Sequence, residues 1–348
     1  TDSHANILGA IGAFGQGMGD KDIAAVFHRG KTWFKVPKSV KLNFTGQLPG
    51  NVEAKDFVLN LLNKFGANTL LGYSVELYGD AIDKLTLDQR ITIASMGTEM
   101  GVIILLFPPN DAVMSYCEER TGRKLDKIVA DADAAYDQEH TIDVSTFVPM
   151  VSRPGKPHDA VNIDLERKVK IDSAFVGSCT NGRMEDMKAV ARILKGRKVA
   201  PGVVLKIVPS TDEIWQQCLD EGLIRIFKDA GALLSNAGCA GCAAGQVGQN
   251  GPGEVTISTG NRNFPGKQGK GEVYLASPAS VAASAVAGYI TTEDDIPKVP
   301  ANFDFALRAD EMKLAAKQHE KTRETRPLTI KGLVWVIPQD DIDSYMIY

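Results

Sequence analysis

IDSAFVGSCTNGRMEDMKAVARILKGRKVAPGVVLKIV, residues 171–208, contains one complete strand–helix–strand repeat. IDSAFVG (171–177) is short, apolar and free of breakers, which predicts a buried strand. Arg183 to Lys195 follows with Met187, Val190, Ala191 and Leu194 on one helical face, and Gly196 stops the helix. VVLKIV (203–208) is a second strand. A helix of that length between two such strands predicts parallel pairing through a crossover. The pattern continues downstream. Ser210 and Glu213 read as a capping box for a helix running to about Gly222. ALLS (232–235), VTIST (255–259) and VYLAS (273–277) read as strands, and Pro278 opens a helix over Ala279–Gly288. The fold class is therefore α/β, with a parallel, doubly wound sheet.

Upstream, residues 5–19 are rich in Gly and Ala and predict a closely packed helix. Residues 41–49 predict a strand ending in a Pro49-Gly50 turn. Asn51 stands as N-cap of a helix with Phe57, Val58, Leu61, Leu62 and Phe65 on one face and Gly66 at its end. Thr86 and Gln89 form a capping box for a helix carrying Ile93, Met96 and Met100, and Gly101 ends it. VIILLF (102–107) is a buried strand closed by Pro108-Pro109. The polar, Pro-containing run from His140 to Asp172 predicts a domain boundary near residue 150. The expected organisation is a remainder of an N-terminal α/β domain (1–42), a second α/β domain (43–150), a third (151–300), and a linker with the start of another unit (301–348). The opening without Met and the closing GLVWVIPQDDIDSYMIY read as the ends of a fragment.

The chain has 348 residues and a net charge of −4, which gives no support for a nucleic-acid surface. No apolar run approaches the roughly 18 residues of a membrane span. The start lacks a secretory signal pattern. Five cysteines form no dense framework, which fits metal ligation in a reducing cytoplasm better than secretion.

Three of those cysteines fall just past predicted strands. Cys179 follows 171–177, and Cys239 and Cys242 follow 232–235. Asn261-Arg262 follows 255–259. In an open α/β sheet such loops gather along the carboxyl edge, where ligands bind. Cys239-x-x-Cys242 admits three readings. A redox dithiol sits at a helix N-terminus. A structural zinc site needs two more Cys or His ligands at comparable spacing. Three thiolates can instead hold three corners of a cubane iron–sulfur cluster, and Gly238, Gly241 and Gly245 allow the main chain to approach its sulfides. A cluster with one iron free of cysteine can act as a Lewis acid. Cys117 and Cys218 read as buried small hydrophobes. Arg262 and Lys267, in STGNRNFPGK (258–267), suit carboxylate recognition, or else are solvated charge. His28, His140, His158 and His319 show no ligand spacing.

These runs together resemble the aconitase superfamily of hydro-lyases, including its isopropylmalate and homoaconitate branch. GSCTNGRMED (177–186) and GNRNFPGK (260–267) are the close matches. The resemblance implies several three-layer α/β/α domains around a [4Fe-4S] cluster, with Cys179, Cys239 and Cys242 as ligands and one iron without a cysteine. Asp2-Ser3-His4 match the family's Asp-Ser-His element, with Ala5 where Thr is usual. TIASMGTEMG (92–101) resembles its active-site helix, with Glu99 retained and Ser95 where Asn is usual. The resemblance implies catalytic roles for His4, Glu99 and Asp2. It implies substrate contacts from Ser3, Asn261, Arg262, Lys267, Asn181 and Ser95, with Lys267 replacing a second Arg. The implied activity is reversible dehydration and rehydration of a 2-hydroxy di- or tricarboxylate, of the 3-isopropylmalate or homoaconitate type. Citrate–isocitrate aconitate hydratase is the alternative, and an RNA-binding apo-form regulator or an electron-transfer protein are readings of other classes. The implied partners are a small hydroxy-carboxylate and a small swivelling domain, fused or separate, whose start PQDDIDSYMIY resembles. No membrane or nucleic-acid partner is implied.

Overall fold

Two sheets organise the chain, and one helix is shared between them. The computed structural model describes residues 2–298. The final unit expected at 301–348 lies outside them. The first sheet contains β1 (Ser39–Thr45), β2 (Ser74–Tyr78), β3 (Ile104–Leu106) and β4 (Gln138–Asp143), in the order β3-β2-β1-β4, all parallel. Its core includes Val40, Leu42, Phe44, Phe57 and Leu61. The second sheet holds β5 (Met150–Ser152), β6 (Ala160–Asn162), β7 (Ser173–Gly177), β8 (Val204–Val208), β9 (Leu233–Leu234), β10 (Val255–Ser258) and β11 (Glu272–Ala276). Its order is β6-β5-β11-β10-β7-β8-β9. The five strands from β11 to β9 are parallel, as the strand–helix alternation predicts, and β5 and β6 add an antiparallel edge.

The helices are α1 (Asp20–Arg29), α2 (Ala54–Phe65), α3 (Asp80–Asp83), α4 (Leu87–Ser95), α5 (Asp111–Thr121), α6 (Ser178–Asn181), α7 (Met184–Leu194), α8 (Asp212–Asp220), α9 (Leu223–Ala230) and α10 (Pro278–Ala287). The Thr86–Gln89 capping box and Pro278 at the start of α10 occur as expected. Three local expectations are corrected. The helix expected over 5–19 is a 3₁₀ segment, Ser3–Ile11, ended by Gly12 in the left-handed region. Gly9 presses on β3 there: a Cβ would stand 1.9 Å from the Leu105 carbonyl oxygen. The N-cap of α2 is Glu53 rather than Asn51, because Glu53 and Asp56 satisfy each other's backbone. The N-cap of α8 is Thr211 rather than Ser210. Thr211 accepts from the Ile214 N–H, while the Ser210 N–H already donates to Gly182.

Helix α2 joins the two halves. Its apolar residues enter the first core. Its first turn faces the second sheet: Asp56 accepts from the Met150 N–H at 2.9 Å, and Glu53 accepts from the Ala279 N–H at 2.9 Å. The described residues accordingly fall within one compact unit. No helix among them is long and apolar enough to cross a membrane.

Candidate active site

The second sheet runs outward from β7 in one direction to β8 and β9. It then resumes on the other side of β7 with β10 and β11. The strand order therefore reverses between β7 and β10. The carboxyl end of that pair is where an open α/β sheet leaves a crevice for ligands. Cys179 leaves the end of β7 there, and Asn261-Arg262 leave the end of β10. The two loops are stitched together: Thr259 Oγ1 accepts from the Gly177 N–H at 2.9 Å and donates to the Gly177 carbonyl at 3.1 Å. Only three non-glycine described residues have positive φ, and two of them flank cysteines: Ser178 (74°) before Cys179 and Ala240 (48°) after Cys239. Such backbone is costly and concentrates at functional sites.

The three cysteine side chains meet. Cys239 lies between the other two. Its hydrogen bonding with them lowers Cys179 to about 6 and Cys242 to about 7, and pushes its own thiol up. Two thiols held below their ordinary range beside a third sulfur suit metal–sulfur chemistry. Cluster ligands bind different irons, so their sulfurs need not meet at a point. Cys218 is buried in α8, as expected of a small hydrophobe, whereas Cys117 in α5 is only half-buried, which corrects that reading for it.

A polar cluster faces the same crevice. Arg262 donates Nε–H to Glu99 Oε1 at 2.8 Å, and its Nη2 stands 3.4 Å from Ser3 Oγ. His4 Nε2 lies 3.3 Å from the same Glu99 oxygen. Burial pushes the His4 imidazole down, but the Glu99 hydrogen bond and the charge of Cys179 outweigh it, so its pKa is raised. Asp2 braces His4 by accepting from its backbone N–H at 2.6 Å and pairing with Nδ1 at 3.2 Å. Segments more than 90 positions apart are thus brought together: the first 3₁₀ turn, Glu99 in the 3₁₀ segment Met96–Met100, and the loop after β10.

Behind this cluster is a buried wall. Thr180 Oγ1 donates to Asn261 Oδ1. Ser95 Oγ stands 3.0 Å from both the Thr92 carbonyl and Thr180 Oγ1. Asn181 Nδ2 donates to Asp186 Oδ1 at 3.1 Å and to Thr92 Oγ1 at 3.3 Å. Ser95 therefore links α4 to the Cys179 loop through its own hydrogen bonds. Two polar atoms of the wall, Asn261 Nδ2 and Asn181 Oδ1, are buried with no protein partner among the described residues. Native buried polar groups are nearly always paired, so these two are free to serve a bound group. With the three cysteines, they make a donor set that fits an iron–sulfur cluster. Lys267 is half-buried, and its charge helps hold the Cys242 thiol down.

Sequence reasoning passed over Thr180, Asp186 and Lys55. Asp186 is partly buried on α7, and desolvation there raises its carboxyl to about 7. Lys55 stands at the edge of the apolar face of α2, three residues before Val58 and seven before Leu62, and is fully buried. The Asp186 N-cap bond to Arg183 was the one local signal available for it.

A family model described as the aconitase family (aconitate hydratase) matches residues 1–170 and 165–288. The 3-isopropylmalate dehydratase large subunit 1 of Methanopyrus kandleri is 39% identical over 292 residues, covering 83% of this chain and 70% of that protein. Large subunit 2 of the same enzyme from Archaeoglobus fulgidus is 42% identical over 293 residues, with the same coverage. The large subunit from Nitratidesulfovibrio vulgaris is 43% identical over 291 residues, covering 83% of this chain and 69% of its own. Among solved structures, the holo-form of Thermococcus kodakaraensis aconitase X aligns with a TM-score of 0.40 and 11% identity. It covers 66% of this chain and 50% of that one, a likeness too slight to build on.

Proposed function

The chain belongs to the aconitase family and is a hydro-lyase of the 3-isopropylmalate dehydratase kind, and we propose that it catalyses the reversible dehydration and rehydration of 3-isopropylmalate with a cluster held by Cys179, Cys239 and Cys242. The observation that carries this reading is the meeting of the three cysteines with the Arg262–Glu99–His4 cluster at one strand-order reversal. When bound, the cluster supplies a Lewis-acidic iron for the substrate's hydroxyl and one carboxylate. Arg262 takes a carboxylate with the guanidinium edge that Glu99 does not use, beside the Ser3 hydroxyl. Lys267 adds a point charge. Glu99 keeps a proton on His4 Nε2, next to where the hydroxyl leaves, and His4 is placed to donate it. Asp2 fixes the ring that holds that proton. Asn261, backed by Thr180, offers Nδ2 to the bound acid or to the cluster. The α-proton is left to a base on a small swivelling domain. The relatives are named large subunits, and such a domain would come to this chain as a small-subunit partner.

The test is electron paramagnetic resonance on the anaerobically reconstituted and reduced chain, joined with a small-subunit partner, with and without 3-isopropylmalate and citrate. A cluster signal that shifts with 3-isopropylmalate alone is the expected result. A signal that shifts only with citrate would move the substrate to the aconitate hydratase type, and one indifferent to both would remove the substrate assignment.

A further inference from the structure

Lys55, in the first turn of α2, is fully buried. Its ammonium donates to the Gly260 carbonyl at 2.7 Å and the Thr259 carbonyl at 3.2 Å, and stands 3.5 Å from Met96 Sδ. Among the described residues it makes no ion pair within 4 Å. A buried charge that spends its donors on main-chain dipoles adds little that an apolar side chain of similar volume could not supply to packing. Its contacts are better explained by what they hold. Thr259 and Gly260 are the two residues before Asn261-Arg262. Met96 opens the 3₁₀ segment that carries Glu99. One side chain therefore touches both supports of the Arg262–Glu99 pair, from a helix that is itself anchored on both sheets.

We propose that Lys55 is a positioning residue: by holding the Thr259 and Gly260 carbonyls against Met96, it sets the direction in which Asn261 and Arg262 leave β10 and so keeps Arg262 in reach of Glu99, Ser3 and the substrate. The effect on substrate rests on the function proposed above; the effect on the loop does not. Burial lowers the Lys55 amine to about 8, so it remains largely charged at neutral pH.

The experiment compares Lys55→Met, Arg262→Ala and the double variant in the reconstituted, assembled enzyme. The readouts are the Kd and KM for 3-isopropylmalate, the iron and sulfide content, the melting temperature, and amide hydrogen exchange over residues 258–264. Lys55→Met is expected to weaken 3-isopropylmalate binding about tenfold or more, since a hydrogen bond to a charged group is being lost from the loop's support. Cluster content should stay near wild type and the melting temperature should fall only by the modest amount that two unpaired carbonyls cost, while exchange at Asn261 and Arg262 quickens. The double variant should bind no more weakly than Arg262→Ala alone, because a residue acting through another gives non-additive losses. Wild-type exchange over 258–264 in Lys55→Met, or losses that multiply, would overturn the proposal. If Arg262→Ala binds 3-isopropylmalate as wild type does, the substrate reading falls and the exchange result alone decides the part played by Lys55. Should Lys55→Met not accumulate folded, Lys55→Gln, whose uncharged amide is one bond shorter and falls short of the Thr259 and Gly260 carbonyls, carries the same comparison.

Discussion

Arg262 and Glu99 stand 163 positions apart in sequence and form an ion pair of 2.8 Å, in which Glu99 is only 8% exposed. The pair is shared: His4 Nε2 reaches the same carboxylate oxygen at 3.3 Å. Arg262 and His4 thereby share one Glu99 oxygen, and the guanidinium keeps an open edge. Removing any one of them leaves the others partly unpaired in a shielded site, which is the costlier way to break such a network.

Glu99→Gln should lower kcat by about 10²–10⁴, the usual weight of a positioned proton carrier. The pH dependence should also move. In the wild type, the Glu99 hydrogen bond helps hold the His4 pKa above its ordinary value. Without it, His4 loses its proton at lower pH. If His4 acts protonated, the alkaline limb of the kcat profile shifts to lower pH in Glu99→Gln. A profile that keeps its limb would remove His4 from the proton path.

Cys179→Ser, Cys239→Ser and Cys242→Ser should each yield chain with little bound iron and sulfide after reconstitution. Cys117→Ser and Cys218→Ser should retain both. Cluster loss in Cys218→Ser alone would need care, because that thiol is buried against Met184 Sδ at 3.9 Å and its loss disturbs a core. Visible absorbance and iron analysis, read beside a melt, separate the two causes.

Asp186 gives a stability signature with a definite sign. Burial raises its carboxyl from 3.8 to about 7. Between those values the folded chain holds a proton that the unfolded chain has released. The stabilising effect of this group is complete below about pH 4 and is lost as pH rises through 7. Glu53 and Asp56, raised to about 8 and about 6 by burial, act in the same direction. Wild type should therefore lose melting temperature relative to Asp186→Asn between pH 5 and pH 8. Thiols titrate alike in both proteins and drop out of the difference. A constant gap across that range would contradict the assignment.

Much of this was legible in the sequence because the second sheet is built from regular repeats. Apolar runs of strand length, helices with one greasy face and Pro278 at a helix start all report local preferences. The placement of Cys179, Cys239, Cys242 and Asn261-Arg262 at strand ends followed directly. What stayed hidden depends on packing between distant segments. Nothing local marks Lys55 and Asp56 as interior residues, yet both are fully buried where α2 docks on both sheets. The 3₁₀ segment Ser3–Ile11 is seated by Gly9 against the β3 backbone, a contact 96 positions away in sequence that no local pattern encodes.

Two glycine substitutions test how far the cluster loop depends on one close approach. Gly177 ends β7 with φ of 150°, and a Cβ there would stand 2.3 Å from the Val208 carbonyl oxygen. Val208 is the β8 residue paired with it, so relief requires the β7–β8 ladder to part. Gly177 also exchanges two hydrogen bonds with Thr259, and these fasten the Cys179 loop to the Arg262 loop. Gly196, at the end of α7, has φ of 73°, but a methyl group there would meet nothing within 4 Å. Its replacement should cost only the left-handed backbone penalty, about 1–2 kcal/mol. Gly177→Ala adds the collision and should cost roughly 3 kcal/mol or more, in the range of strained-backbone and core defects. Chemical denaturation measures both. Beyond the difference in stability, Gly177→Ala should bind less cluster and less 3-isopropylmalate, whereas Gly196→Ala should bind both as wild type does. Equal losses in the two variants would mean that left-handed backbone strain, rather than the β7–β8 contact, governs this turn.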